Sequence, residues 1–320
     1  MENLIEGRVV VLAGGLSHER DVSLRSGRRV AEALRDAGTE VEERDVDASL
    51  LPALRDDPPA CVLPLLHGET GEDGALREVL ELLGVAYVGS VPSACRAAFD
   101  KPVAKAVVAR AGLHTPNSVA LPHEAFRELG AAAVMEAIVA TIGLPLIVKP
   151  AKSGSALGCT VVRASEALPG AMVNAYAYGE TALVEQLIVG AEVAVPVIDT
   201  GDGPRALPVV SIEPDGGVYD YTARYTAGST EFVVPAKLSD DLAAECARVA
   251  IAAHEALGLR DLSRSDLMID AEGTVWFLEV NVAPGLTETS TVPLAVQAAG
   301  LDLGRLMADL VRTATTRPSR

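Results

Sequence analysis

The chain has 320 residues, is 49% hydrophobic but only 3% aromatic, and carries 27 lysines and arginines against 44 aspartates and glutamates, a formal charge of −17. That length exceeds what one core fills and points to two or three domains; the apolar content excludes intrinsic disorder, and the acidic balance excludes duplex nucleic acid as a partner because phosphates require a basic face. No apolar run approaches the ~18 to 20 residues of a bilayer crossing, and the start MENLIEGR is acidic where a signal peptide is basic, so a soluble, cytoplasmic protein with no membrane partner is expected.

In chain order, VVVLAGG at residues 9–15 reads as a strand buried on both faces and closed by glycines. SLRSGRRVAEALRDAG follows as a helix, with Ser23 offered as its cap and Gly38 as its stop. CVLPLLHG is a strand, GALREVLELLG a helix with Leu76, Val79, Leu80 and Leu83 on one face, and VAYVGS a further strand. This alternation marks residues 1–90 as an α/β domain. An Ala-rich helix from Lys101 to Gly112, a long helix ending at Gly143 and the apolar strand LPLIVKPA open a second domain, residues 91–184. From there SGSALGCTVV, ALVEQLI, AEVAVPVID, ALPVVSIEP and TEFVVPA are short β runs separated by Gly, Asp and Pro, which suit antiparallel α+β sheets. The third domain, residues 185–320, adds the capped helix SDDLAAECARVAIAAHEALG, the strands DLSRSDLMID and TVWFLEVNV joined by a turn at Ala271-Glu272-Gly273, and the closing helix GRLMADLVRTA. Cys61, Cys95, Cys159 and Cys246 form no CxxC pair and read as buried thiols.

The sequence holds no GxxxxGKS or GxxxxGKT, no GxGxxG after a strand and no HExxH, which removes P-loop, simple dinucleotide and zincin chemistry. The informative hairpin bears Arg264 and Asp266 on one strand and Glu279 and Asn281 on the other. Residues two apart share a face, so three oxygen donors converge as a hard cation such as Mg²⁺ requires beside phosphates. Spacing alone favours the polar outer face of a hairpin, because alternating charged residues on a strand are common. What favours a site is that Glu279 and Asn281 interrupt an otherwise buried strand, where polar groups need partners. KPAKSGSALG, beginning at Lys149, offers an ammonium and backbone N–H groups to phosphate, or is an ordinary Gly/Ser turn. Lys101 in FDKPVAK is by itself a solvated helix charge. VYDYTARYTAGSTEF, with Arg224, is an edge strand or a lid.

Taken in order, HERDVSLRSG, HGETGEDG, FDKPVAK, IVKPAKSGSALG, YDYTARY, SRSDLMID and FLEVNVAPGLTETSTVP resemble the D-alanine:D-alanine ligases of the ATP-grasp superfamily, from about Val9 to Ala314. The resemblance implies a three-domain ATP-grasp fold, α/β and α+β, with a Rossmann-like N-terminal domain and ATP held between two antiparallel sheets. It implies ATP as co-substrate, D-alanine as substrate, two Mg²⁺ or Mn²⁺ ions, and a homodimer. By similarity Lys101, Lys149 and Arg224 contact phosphates; Glu185, Gln186 and the backbone near Ile188 hold adenine; Glu192 binds ribose; Asp266, Glu279 and Asn281 ligate the metals. Glu19 would hold the first D-alanine with His67 nearby, Ser290 and Thr291 the second, while Arg264 and the Gly285 N–H stabilise the oxyanion. Glu19, Ser155 and Tyr225 match a triad that fastens a lid. Arg224, Ser153, Gln186 and Thr291 depart from the usual Lys, acid, Lys and aliphatic residues, which leaves the second substrate open, whereas Tyr225 favours the dipeptide over an ester. Two alternatives stand beside it: a ligase for another D-amino acid pair, and a nucleotide-binding relative without turnover.

Overall fold

The computed structural model describes residues 5–214 and 230–317. The N-terminal unit is a βα alternation: β1 (Val9–Leu12), α1 (Arg20–Asp36), β2 (Val41–Arg44), α2 (Leu50–Asp56), β3 (Cys61–Pro64), α3 (Glu69–Glu72) and α4 (Ala75–Leu82). Its strands pair in parallel in the order β2-β1-β3. The run VVVL is apolar throughout because both faces are covered: Val9 and Val11 face the core containing Val30 and Leu34 of α1, and Val10 and Leu12 face the one containing Leu54 and Leu80.

Two expectations are corrected here. Ser23 does not cap α1; it lies inside the helix, buried, where its Oγ donates to Leu65 O at 2.7 Å and accepts from Gly14 N at 2.8 Å, tying the helix to the loops after β1 and β3. VAYVGS is not a full strand either. Val62 N donates to Ala86 O and Val88 N to Val62 O, one bridge beside β3, before Gly89 turns the chain away at φ 117°.

The chain then forms α5 (Pro92–Phe99), α6 (Lys101–Arg110), β4 (Ser118–Pro122), α7 (His123–Leu129), α8 (Ala131–Ile142), β5 (Leu146–Pro150), β6 (Thr160–Val162), α9 (Leu168–Tyr176) and β7 (Thr181–Gln186). Asp100 caps α6 by accepting from Val103 N at 3.2 Å. The expected long helix ending at Gly143 is two, because Gly130 takes φ 88° between α7 and α8. The strands form an antiparallel sheet in the order β4-β7-β5-β6, with one face packed on α8 and α9. The boundary placed between 184 and 185 falls inside β7, whose pairing with β5 extends to Gln186.

The third set is β8 (Gly190–Ile198), β9 (Arg205–Ala206), β10 (Val210–Pro214), β11 (Thr230–Val233), α10 (Asp240–Ala256), β12 (Leu262–Asp270), β13 (Val275–Asn281), α11 (Thr291–Ala298) and α12 (Leu303–Thr315). Its sheet runs β11-β10-β8-β12-β13, with β9 beside β8. Alternate residues of β8 serve two cores. Val193, Val195 and Val197 join α5, α6 and α10; Ala194 and Ile198 join α11, α12 and the N-terminal unit. Helix α12 crosses α1 so closely that a Cβ on Gly304 would stand 2.2 Å from Ala33 O.

Candidate active site

Between the four-stranded and six-stranded sheets lies a cavity of about 680 Å³. Its first wall comes from β5 and β7. Ile147 and Lys149 share a face by strand parity, and Glu185 stands directly opposite Ile147, so all three line the cavity. Gln186, Ile188 and Glu192 line its far end. Opposite them stand Asp266, Met268 and Glu279 from β12 and β13.

Register makes the second wall chemical. Arg264 pairs with Asn281 and Asp266 with Glu279, and the register shifts immediately after Asp266. Arg264 and Asp266, two apart in β12, meet through their side chains, so the parity expected from the sequence is the observed one for this pair. Arg264 donates from Nε and Nη2 to the two oxygens of Asp266, both at 2.7 Å, a bidentate pair that fixes the guanidinium plane. Asn281 Oδ1 accepts from Ala283 N at 2.7 Å and shapes the exit of β13. Among the described residues no group of three or more His, Cys, Asp or Glu gathers as a metal site. The set expected from the sequence, Asp266, Glu279 and Asn281, is two carboxylates and one amide oxygen, hard donors of the kind Mg²⁺ takes rather than those of a soft or imidazole-seeking metal.

Lys101, at the start of α6, donates to Ser153 O at 2.6 Å and lies 3.4 Å from Glu279 Oε2. Lys149 is ion-paired to Glu185 Oε1. Burial works against the charge on Lys149, but Glu185 and then Glu279 outweigh it and hold the ammonium above the ordinary lysine range. Burial works against Glu185 as well, yet Lys149 and Lys105 keep its carboxyl below the usual value.

The glycine-rich loop reaches back to the N-terminal unit. Ser155 and Ala156 adopt φ 54° and 55°, the left-handed region that side chains disfavour, and this turn presents Ser155 Oγ to Glu19 Oε1, to which it donates. A Cβ on Gly154 would stand 3.0 Å from Glu19 Oε2, so the loop backbone passes close to that carboxylate. His67 is buried, which pushes its pKa down; its Nδ1 lies 2.8 Å from Ala283 O and its Nε2 3.4 Å from Ser26 Oγ, which itself accepts from Leu286 N at 3.1 Å. Gly285 lets Ser290 approach, since a Cβ there would stand 2.8 Å from Ser290 Oγ. Ser290 Oγ accepts from Thr287 N at 3.1 Å, and Thr291 is the buried first residue of α11. Arg224 and Tyr225 lie outside the described residues.

Two residues escaped sequence reasoning. Glu72 is buried, accepts from Gly68 N at 3.0 Å, and is pushed up to about 7 by burial and then by Glu19. Its signal was the second acid of HGETGEDG. Lys105 is buried on α6, one turn beyond Lys101 in FDKPVAK, where a second lysine on the same helix face was legible.

Two antiparallel sheets closing on a cleft lined with lysine and carboxylate define an ATP-grasp enzyme. Residues 107–312 match the family model described as D-ala D-ala ligase C-terminus. The chain is 40% identical over 311 residues to a D-alanine–D-alanine ligase from Bordetella petrii, covering 97% of this chain and 93% of that one. It is 39% identical over 313 residues to one from Desulforudis audaxviator, covering 97% and 99%. Among solved structures it superposes on the VanG D-Ala:D-Ser ligase from Enterococcus faecalis with TM-score 0.83 at 28% identity, covering 96% and 99%. The ATP complex of the Bacillus anthracis D-alanine–D-alanine ligase gives 0.80 at 25%, covering 96% and 97%. The chain belongs to the D-alanine–D-alanine ligase family, the ATP-dependent carboxylate–amine ligases.

Proposed function

We propose that the protein joins two molecules of D-alanine into D-alanyl-D-alanine with ATP, for peptidoglycan precursor synthesis. The observation that carries this is that Lys149 and the paired Asp266 and Glu279 line one cleft, with the loop bearing Ser155 joining that cleft to Glu19. A homodimer in the cytoplasm is the working form we assign. Among the described residues no helix is long and apolar enough to cross a membrane.

A carboxylate is a poor electrophile, so the first D-alanine is activated by taking the γ-phosphoryl group of ATP to form an acyl phosphate. That transfer needs positioning and charge neutralisation, which fall to Lys101 and Lys149. Asp266, Glu279 and Asn281 would hold Mg²⁺, which when bound supplies further positive charge beside the phosphates. Glu19 receives the ammonium of the first D-alanine. The deprotonated amine of the second, seated at Ser290 and Thr291, attacks the acyl carbon; phosphate leaves and the amide forms. Arg264 and the Gly285 N–H face the developing oxyanion, each such donor contributing roughly 3 to 4 kcal/mol. Arg264 serves this well because Asp266 already holds its fork rigid.

Purified protein given ATP, Mg²⁺ and D-alanine should release one phosphate per dipeptide formed. No phosphate release with D-alanine sinks the proposal. A larger kcat/KM when D-serine is offered as second substrate assigns the chain to the mixed-dipeptide branch.

A further inference from the structure

Behind the cavity wall, one carboxylate serves two lysines. Glu185 Oε2 accepts from Lys105 Nζ at 2.6 Å, and Glu185 Oε1 is ion-paired to Lys149. Lys105 also donates to Pro116 O at 2.9 Å, and its side chain is 4% exposed against 2% for Glu185. Lys149 lines the cavity. The triad comes from three elements: Lys105 from α6, Lys149 from β5 and Glu185 from β7.

Charge counting gives these positions distinct tasks. A buried Lys149–Glu185 pair alone is neutral and offers nothing net to an anion. Turning Lys149 toward a phosphate would then leave Glu185 as a bare buried carboxylate, which is among the costliest arrangements in a protein. With Lys105 in place the triad carries a net charge of +1, and Glu185 keeps a partner whichever way Lys149 turns.

We infer that Lys105 is a positioning residue for nucleotide binding: it holds Glu185 neutralised so that the Lys149 ammonium is free to serve the phosphates of ATP. The inference rests on the assignment of the cleft to ATP. It makes Lys105 matter to phosphates it does not touch, and it separates Lys105 from Lys101, which reaches the cavity itself.

Calorimetry with ATP and with adenosine tests it on the wild-type chain, Lys105→Met, Lys105→Arg and the double variant Lys105→Met/Glu185→Gln. Lys105→Met is expected to weaken ATP roughly tenfold or more, while leaving adenosine, which has no phosphates, unchanged. Lys105→Arg, which keeps the charge, should bind ATP close to wild type. The double variant should regain most of the lost preference for ATP over adenosine, a ratio from which any change at the adenine contact of Glu185 cancels, because Lys149 is no longer captured and its ammonium still has Glu279 beside it; with no unpaired buried carboxylate, it reports even if the single variant folds poorly. ATP binding by Lys105→Met as tight as wild type overturns the inference, as does an equal loss for adenosine and ATP, the mark of a merely structural role. Failure of the wild-type chain to bind ATP would instead overturn the assignment of the cleft.

Discussion

The two sheets that face the cleft are built on opposite plans. The six-stranded sheet packs one face on α5, α6 and α10 and divides the other between the cavity and a core continuous with the N-terminal unit: Val9, Val30 and Leu34 lie in the same cluster as Ala194, Ile198, Leu286 and Leu310. The four-stranded sheet has a core of its own, drawn from Ile138 to Val184, and gives its other face to the cavity. One wall is therefore part of the main body, and the other is a separately cored lobe. On the proposed function, the residues assigned to the oxyanion and the metal, Arg264, Asp266 and Glu279, belong to the first wall, and those assigned to the nucleotide, Lys149 and Glu185, belong with the Ser155 loop to the second.

The sharpest way to break the comparison is on the body side, where function and stability should fall together. Arg264→Met removes the partner of buried Asp266, so ligation should drop by roughly 10²- to 10³-fold and unfolding free energy by about 3 to 5 kcal/mol, measured by phosphate release and by urea. A pair of core truncations tests whether the lobe is separate. Leu168→Ala and Leu310→Ala each cost about 2 to 5 kcal/mol. Hydrogen exchange should rise only within residues 118–186 for the first, and in both the N-terminal and six-stranded sheets for the second.

Acid titration probes the seam between body and loop. Glu72 has its folded pKa raised to about 7 by burial and by Glu19, from an unfolded value of about 4.3. A carboxyl shifted upward stabilises the fold while protonated, and that stabilisation is lost as pH rises from about 4.3 to about 7. Glu72→Gln stays neutral, so it should match the parent near pH 4 and exceed its stability by on the order of 3 to 4 kcal/mol at pH 8. Equal urea midpoints at pH 8 would refute this. The smallest effect belongs to the lobe's own link. Ser155→Ala deletes the hydrogen bond to Glu19 and should lower kcat/KM for D-alanine roughly tenfold, with the urea midpoint unchanged because that bond joins no core.

What was legible in the sequence follows the same division. The parity of Arg264, Asp266, Glu279 and Asn281 could be read because a strand's period is fixed at two, and the register then set them face to face. Runs such as VVVL announced their burial for the same reason. Ser23 misled because hydroxyls favour helix caps in general, whereas here the tertiary contacts to Gly14 and Leu65 claim it. The break at Gly130 was hidden by an Ala-rich composition that favours helix on both sides. Glu72 and Lys105 stood in motifs that could be read, but their roles did not show there, because those roles lie in burial and in partners distant along the chain, Lys105 finding Glu185 across 80 positions.

The crossing of α12 over α1 also bears on how the protein is made. Leu306, Leu310 and Val311 complete the cluster that begins with Val9 and Val30, and Gly304 admits the close approach to Ala33. On the ribosome, β1 and α1 emerge well before α12, with both other sheets translated in between, so this part of their cover arrives late. Vectorial synthesis thus leaves the α12-facing side of α1 open over that interval, and chaperone demand during translation should concentrate on that helix.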